Sequence, residues 1–268
     1  MNEYRIHIDG IVKTYTFFQI SDSHLAYYVE NDNLATKERV ETSICQWSRN
    51  GISPITYFEE ILNYVDRNDS DGLFMCGDII DFPSGRMIRE LLCHIAKLRT
   101  EVFYVSGNHE HLEDSNTSFV ETSDIELYRR LARPFWAKHN KEITIVGIDN
   151  SKRIISNQCI DFLEKQIAYR KPILLIMHIP MYTEELGRVI KKEWETEGCI
   201  DYFTLHGKED NNITVFSDII RRPESKVFAI LSGHVHFNYQ CKIAPGIMQY
   251  IVGPTFEGMI NKIIVSGH

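Results

Sequence analysis

Five short apolar runs, each ending in a cluster of polar side chains, constrain this sequence more than any other feature. The runs are rich in β-branched and aromatic residues, which predicts strands. They are Tyr15–Ile20, Leu73–Cys76, Val102–Val105, Ile173–Met177 and Val227–Leu231. Because consecutive residues are apolar, both faces of these strands should be covered. The sequence therefore predicts sheet structure that is buried on both sides.

Apolar residues at helical spacing separate several of these strands. The predicted helices are Ile55–Val65, Met87–Leu98 and Ile160–Ile167, the last of them capped by Ser156. Further strands are predicted at Ile143–Ile148, Tyr239–Ile243, Met248–Val252 and Ile260–Val265. Helices and strands alternate early in the chain, and its last stretch is mostly strand. This order predicts a layered α/β domain with two packed sheets.

The rest of the sequence gives weaker signals. Tyr4–Ile8 is a candidate strand, and the Asp-Gly pair that follows it predicts a hairpin. Residues 25–54, 111–142 and 181–212 each follow a polar cluster and have less regular patterns. We expect loops and short helices in these segments, arranged around a site.

The composition excludes several classes of protein. The 268 residues include 29 Lys and Arg against 37 Asp and Glu, and the net charge of −8 argues against broad binding to nucleic-acid backbones. No apolar stretch approaches the ~20 residues of a membrane span, and the acidic residues near Met1, without a long apolar segment, lead us to expect no secretory signal. Without repeats or linkers, a single domain over residues 1–268 is expected. The six cysteines form no C-x-x-C pair, which predicts reduced, buried thiols in a cytoplasmic protein. The sequence does not determine the oligomeric state.

The polar clusters supply carboxylate, imidazole and amide groups but no thiol. Ligands collect at the carboxyl ends of strands in α/β sheets, so these clusters should converge. The candidate metal ligands are Asp22, His24, Asp78, Asn108, His178, His234 and His236. Oxygen and imidazole donors suit Mn, Fe, Zn, Ni or Mg. Seven ligands are too many for one tetrahedral zinc, but they suit two ions that share a carboxylate.

Local spacing adds detail to this prediction. Asp22 and His24, like His234 and His236, are two residues apart, so each pair could point the same way in extended backbone. The glycines at positions 77, 107 and 233 allow sharp turns and close backbone approach. Several of these residues, taken alone, could also have a purely structural role. Asp78 could cap a helix. Asn108 could occupy a turn, and His178 could be a core histidine.

Taken together, the blocks D-S-H, G-D-I-I-D, G-N-H-E, a strand-end His and G-H-V-H resemble those of the calcineurin-like metallophosphoesterase family. All five occur in the family's order between Asp22 and His236. The resemblance implies an α/β fold that is a four-layer α/β/β/α sandwich with two packed mixed sheets. It also implies a hydrolase of phosphate esters with two divalent metal ions, of which Mn is most expected.

The resemblance further implies roles for individual residues. Three ligands would bind the first ion, namely Asp22, His24 and His236. Three would bind the second ion, namely Asn108, His178 and His234. Asp78 would bridge the two ions, and a hydroxide held between them would attack phosphorus in line.

Two further residues receive catalytic roles from the same resemblance. His109 would protonate the leaving group or bind the phosphoryl group by a hydrogen bond. Asp81 would orient His109 and raise its pKa. Glu110 completes the G-N-H-E block and receives no direct role in the chemistry.

The substrate is less well defined by the sequence. Protein phosphatases of the family extend the second block as G-D-x-V-D-R-G, whereas here Phe82 and Pro83 follow Asp81, so a phosphate-clamping guanidinium is lost. This favours a small phosphate monoester or diester. Aromatic residues in segment 181–212 could form a lid or a base-stacking surface for a nucleotide-like substrate, or could simply pack a loop. They are Tyr182, Trp194, Tyr202 and Phe203.

One alternative belongs to a different class of function. Some relatives have lost metal ligands and act as protein-interaction scaffolds. The ligand set here is complete, and His109 and Asp81 accompany it. The sequence therefore favours the enzyme.

Overall fold

Eleven strands and eight helices build the part of the chain that the structure describes. The structure is a computed structural model and describes residues 1–30, 32–111, 122–195, 200–206 and 211–267. The strands are β1 (Asn2–His7), β2 (Tyr15–Ile20), β3 (Gly72–Cys76), β4 (Val102–Val105), β5 (Phe135–His139), β6 (Thr144–Ile148), β7 (Ile173–Ile176), β8 (Val227–Ser232), β9 (Tyr239–Ala244), β10 (Ile247–Ile251) and β11 (Asn261–Ser266). The helices are α1 (Leu34–Trp47), α2 (Pro54–Arg67), α3 (Gly85–Lys97), α4 (Thr122–Leu131), α5 (Asn157–Ala168), α6 (Glu184–Glu193), α7 (Ile200–Phe203) and α8 (Asn211–Arg221).

The strands form two mixed sheets. The first has the order β1-β11-β2-β3-β4, and the second has the order β5-β6-β7-β8-β10-β9. In the first sheet β2, β3 and β4 run parallel, and in the second β6, β7, β8 and β10 do so. The strands that precede the polar clusters therefore end at the carboxyl edges of parallel arrays.

Apolar side chains on both faces of the strands create three layers of core. Phe17 of β2 packs between the sheets, whereas the next residue, Phe18, packs against helices of the first sheet. In β7, Leu174 packs between the sheets and Leu175 packs against helices of the second sheet. This alternation follows from the period of two in a strand. The predicted four-layer α/β/β/α sandwich with two packed mixed sheets is confirmed.

The predicted helices form where apolar residues recur at helical spacing. In α2, Phe58, Ile61, Leu62 and Val65 share the buried face. Ser156 caps α5 as predicted, since its side chain accepts a hydrogen bond from the backbone N–H of Cys159. Within the described ranges, no helix has the length and apolar character needed to cross a membrane.

The predicted hairpin at the start of the chain is wrong. β1 pairs in parallel with β11, and β11 lies between β1 and β2. The last strand of the chain thus takes the position that a hairpin would have given to β2. An Asp-Gly pair favours a turn, but it does not determine which strand fills the neighbouring edge.

The segments predicted as irregular contain more regular structure than expected. Residues 25–54 include the 14-residue helix α1. Residues 111–142 include α4 and β5, and residues 181–212 include α6 and α7. Parts of the last two segments lie outside the described residues. The apolar pattern of α1 is weak because only Val40 and Ser43 of that helix are buried.

The cysteines only partly match the prediction. Free thiols at Cys76, Cys159 and Cys241 are buried, as expected. The side chains of Cys45 and Cys93 are exposed instead, because both lie on the outer faces of α1 and α3. Cys199 lies outside the described residues.

Candidate metal centre

Three overlapping groups of ligand-type side chains meet where strands of both sheets end, and one of them joins His109 to His24 and Asp78. The other two are named the first and second cluster. The first cluster comprises Asp22, His24 and His236, and the second comprises Asp78, His178 and His234. Within each cluster, one candidate ligand atom per residue lies within 4.8 Å of the others. The predicted ligands thus converge from β2, β3, β7 and β8 on one place.

The first cluster contains a buried acceptor without a partner. Asp22 Oδ1 is buried and accepts no hydrogen bond. His236 Nε2 lies 3.3 Å from this oxygen without hydrogen-bonding geometry, and His24 Nε2 lies 4.0 Å from it. The other carboxylate oxygen, Oδ2, accepts the backbone N–H of His234 at 2.8 Å. A buried, unpartnered carboxylate oxygen facing two imidazole nitrogens fits a cation bound between them.

The second cluster is joined to the first through Asp78. His178 Nε2 lies 3.3 Å from Asp78 Oδ2 and 3.1 Å from Asn108 Oδ1. The same Asp78 oxygen lies 4.0 Å from His24 Nε2 of the first cluster. Asp78 therefore lies between the clusters, where a carboxylate shared by two cations would be needed.

Hydrogen bonds to the far ring nitrogens orient three of the histidines. His178 Nδ1 donates to the carbonyl of Cys76 at 2.7 Å. His234 Nε2 donates to the carbonyl of Tyr202 at 3.0 Å. His24 Nδ1 lies 3.0 Å from Asp81 Oδ1. Each such bond fixes the ring so that its other nitrogen is directed to its cluster, as in known metal sites.

The histidines differ in how readily they accept a proton. Burial lowers the pKa of His24, and it lowers the pKa of His234 to about 3. Burial also disfavours a charged His178, but the adjacent Asp78 carboxylate outweighs it and raises the pKa of His178 to about 9. In the metal-free chain, His178 therefore carries a proton at neutral pH and His234 does not.

Left-handed backbone is concentrated at this centre. The residues with positive φ here are Asp22 (54°), His24 (46°), Asp78 (52°), His234 (71°) and His236 (57°). Asp and His tolerate this region better than most residues that have a Cβ atom. Neither ligand pair lies in extended backbone, because each strand turns sharply where it ends, although Asp22 and His24 still face the same cluster. As a result, His234 and His236 face different clusters.

The three glycines of the motifs allow close approach, as predicted. A Cβ atom on Gly77, whose φ is +89°, would lie 2.6 Å from His178 Nδ1. A Cβ atom on Gly107 would lie 2.1 Å from Asp78 Oδ1, and one on Gly233 would lie 2.6 Å from Asp22 Oδ2. Any larger residue at these positions would displace a candidate ligand.

Glu110 has a structural role that the sequence did not indicate. Its buried carboxylate accepts backbone N–H groups of Gly107, Asp78, Ile79 and Ile80 at 2.7 to 3.1 Å. Burial and the nearby Asp78 charge raise the pKa of Glu110 to about 7. Glu110 thereby holds together the turns that present Asp78 and Asn108.

His109 and Asp81 lie at the open side of the clusters. His109 Nδ1 lies 3.0 Å from Asp81 Oδ1, and a third of the His109 side chain is exposed. Burial disfavours its charged form, but the hydrogen bonds to Asp81 and the negative charges of Asp78 and Asp81 together outweigh burial, and the pKa of His109 rises to about 9. The neighbouring imidazolium in turn keeps the pKa of Asp81 below its usual range despite burial.

No pattern in the sequence indicated the contact that Trp47 makes at the end of α1. Its indole Nε1 donates to Asp81 Oδ1 at 2.9 Å. Its ring stacks on the imidazole of His24, with centroids 4.0 Å apart and planes inclined by 13°. Trp47 belongs to a segment predicted as irregular, and no spacing rule links it to Asp81.

Aromatic residues of segment 181–212 line the other side of the centre. The Trp194 ring lies 5.8 Å from that of His236, and the Tyr202 ring lies 5.4 Å from that of His234. Trp194 also stacks on the buried Phe203 at 4.7 Å. Tyr182 stacks on His206 instead, so it contributes to the fold of the segment.

Comparison with known proteins identifies the family. The sequence model of the calcineurin-like phosphoesterase family matches residues 15–238. The chain belongs to this family, and it is a hydrolase that acts on phosphate ester bonds. The family depends on dinuclear metal centres, and the two clusters supply ligands of the required kind. The family prediction made from the five motif blocks is confirmed.

Solved structures share the fold at low sequence identity. A dimetal phosphatase from Danio rerio is 13% identical with a TM-score of 0.51, over 91% of this chain and 88% of that one. A purple acid phosphatase from yellow lupin (Lupinus luteus) seeds is 15% identical with a TM-score of 0.56, over 92% of this chain and 45% of that one. This chain therefore spans less than half of the lupin enzyme. None of the proteins of curated function matches the sequence.

Proposed function

We propose that this protein hydrolyses a small phosphate ester with two divalent cations, of which manganese is the expected one. The observation that carries the proposal is the unpartnered Asp22 Oδ1, which faces imidazole nitrogens in a buried cluster joined to a second cluster by Asp78. Core packing alone does not explain this arrangement, because a buried carboxylate oxygen without a hydrogen-bond donor is costly.

The clusters divide the ligands between the two ions. Asp22, His24 and His236 would hold the first ion. Asn108, His178 and His234 would hold the second ion, with Asp78 shared between the two. Bound there, the cations would supply activated water and positive charge for the phosphoryl oxygens.

His109 is the proposed proton donor to the leaving group. Its Nδ1 is engaged by Asp81, so the proton for transfer lies on Nε2. Because the pKa of His109 is raised to about 9, the imidazolium persists at neutral pH and can donate. Asp81 orients the ring and stabilises its charge.

Exposed aromatic rings favour a nucleotide-like substrate. Trp194 and Tyr202 are 39% and 45% exposed at the rim beside His236 and His234. The guanidinium of Arg153 lies 5.1 Å from the centre of the Tyr202 ring and adds positive charge there. A planar base can stack on such rings while its phosphate lies at the cations.

Phe82 supports a small substrate rather than a phosphoprotein. Its ring is buried and covered by the guanidinium of Arg39, 3.7 Å from the ring centre. The position at which protein phosphatases of the family carry arginine therefore contributes packing here.

A single domain and a cytoplasmic location belong to the same proposal. Side chains of both sheets share one core, which supports a single domain over residues 1–268. The described cysteines are free thiols, which suits a reducing compartment.

The first experiment measures hydrolysis of p-nitrophenyl phosphate and bis-p-nitrophenyl phosphate side by side. Chelator-stripped protein is assayed before and after it is refilled with Mn²⁺, and bound metal is counted. Activity that returns with two ions supports the proposal, and the ratio of the two rates separates monoester from diester preference. Protein that binds no metal would refute the ligand assignment and favour the scaffold alternative. Two bound ions without hydrolysis of either compound would refute broad phosphoesterase activity.

A further inference from the structure

Trp47 contacts the first cluster and the proposed proton donor through one shared atom. The indole Nε1 donates to Asp81 Oδ1 at 2.9 Å. The same oxygen lies 3.0 Å from His24 Nδ1 and 3.0 Å from His109 Nδ1. The indole N–H and His24 Nδ1 therefore share this one carboxylate oxygen, and His109 Nδ1 lies beside it while donating to the backbone carbonyl of Asp81 at 3.1 Å.

The indole is also fixed on its other sides. Its ring stacks on His24 at 4.0 Å and contacts the ring of Phe256 at 5.1 Å. Arg49 covers the far face of Phe256, 4.7 Å from its centre, and pairs with Glu257 at 2.9 Å. These contacts attach the end of α1 to the turn after β10. Movement of Trp47 away from Asp81 would break its ring contacts with His24 and Phe256.

We propose that Trp47 is a positioning residue that aligns Asp81 so that His24 faces the first ion and His109 faces the leaving group. The effect on His109 rests on the proposed function, whereas the effect on His24 concerns only metal binding. Without the indole N–H, Asp81 can rotate toward either imidazole or toward water. The orientations of His24 and His109 are then no longer set by one fixed carboxylate.

The test uses Trp47→Phe, which keeps a ring against His24 and removes the N–H. Trp136→Phe is the matched control, because Trp136 donates a buried hydrogen bond of similar length to the carbonyl of Tyr104, at 2.8 Å, in the core between the sheets. Binding of Mn²⁺ to chelator-treated protein is followed by calorimetry. We expect Trp47→Phe to weaken one of two binding steps about tenfold and Trp136→Phe to leave both unchanged.

A double-mutant cycle with Asp81→Asn shows whether Trp47 acts through Asp81. If it does, Trp47→Phe has little further effect on Mn²⁺ affinity once Asp81 is changed. Additive losses would overturn the proposal, and so would equal losses in the Trp47 and Trp136 variants. Because these readouts involve no substrate, they stand even if the proposed hydrolysis is refuted.

Turnover of substrates with different leaving groups tests the connection to His109. An alkyl phosphate needs a proton donor more than p-nitrophenyl phosphate does. We expect Trp47→Phe to reduce turnover of the alkyl ester several-fold more than that of the aryl ester. An equal reduction for both esters would show that Trp47 does not position His109.

Discussion

The two clusters are held in place by different kinds of contact. In the second cluster, backbone carbonyls of Cys76 and Tyr202 orient His178 and His234. In the first cluster, the side chains of Asp81 and Trp47 orient His24. The backbone thus orients the two histidines of the second cluster, whereas side chains that a single substitution can remove orient His24.

This difference predicts where the centre is sensitive. Backbone carbonyls persist under any substitution that keeps the fold, so the ring orientations of His178 and His234 should tolerate substitution of Cys76 and Tyr202. The first cluster should respond to substitutions that touch no ion. Mutation of a residue that hydrogen-bonds to a metal-bound histidine commonly lowers metal affinity or activity about 10- to 100-fold.

Asp78→Ala should have the largest effect, because it removes the carboxylate that both clusters share. We expect turnover to fall by more than about 10³-fold, and binding of both ions to weaken. Steady-state kinetics and metal analysis of the purified variant check this. Near-normal activity, or loss of only one ion, would contradict the bridging position.

His109→Ala should spare both clusters and still reduce turnover. A missing proton donor reduces rates about 10²- to 10⁴-fold. Two Mn²⁺ ions should still bind, since His109 is not assigned as a ligand to either ion. Loss of an ion in this variant would instead make His109 a ligand, in line with its proximity to His24 and Asp78.

Asp81→Asn compared with Asn150→Ala tests the asymmetry directly. Asn150 Oδ1 accepts the backbone N–H of His178 at 3.1 Å, so it is the corresponding side-chain support of the second cluster. We expect Asp81→Asn to weaken one ion about 10- to 100-fold and Asn150→Ala to have a smaller effect. Calorimetric titration with Mn²⁺ distinguishes them. Equal losses of Mn²⁺ affinity in the two variants would show that the first and second clusters depend on side-chain support to the same extent.

The pH dependence of metal binding should also differ between the clusters. The pKa of His178 is raised to about 9, so at pH 7 a proton must leave before an ion binds the second cluster. Affinity there should therefore rise about tenfold per pH unit up to about pH 9. His24, whose pKa is lowered by burial, releases no proton in this range. Titrations in buffers of different ionisation enthalpy count the protons, and zero release would contradict this account.

Tyr202→Ala should have the smallest effect on metal binding. The carbonyl that holds His234 is retained, so Mn²⁺ affinity should change less than about twofold. Selectivity between nucleotide and simple alkyl phosphates should fall, because the exposed ring is lost. Unchanged selectivity in this variant and in Trp194→Ala would refute the nucleotide-like substrate.

Much of the candidate site could be predicted because its residues lie close in sequence to the strands that position them. Each proposed ligand follows a strand within a few residues, and parallel strands bring their ends together. Gly107, for example, had to be small because its neighbour Asp78 lies against it. Asp and His, rather than glycine, occupy several of the left-handed turns, which no periodicity rule indicated.

Contacts between distant segments could not be predicted in the same way. Trp47 is 34 residues from Asp81, and its helix has too few buried residues for a strong amphipathic pattern. The pairing of β1 with β11 joins the two ends of the chain. Such contacts depend on the assembled layers, so only the structure reveals them.

The left-handed backbone at five proposed ligands has a thermodynamic consequence. Each such residue costs on the order of 1 kcal/mol relative to glycine. A population selected for heat resistance alone would therefore drift toward glycine or asparagine at positions such as His24 and His236. The turns of this centre thus lower stability in favour of the proposed ligand geometry, and cations bound there would shift the folding equilibrium back toward the native state.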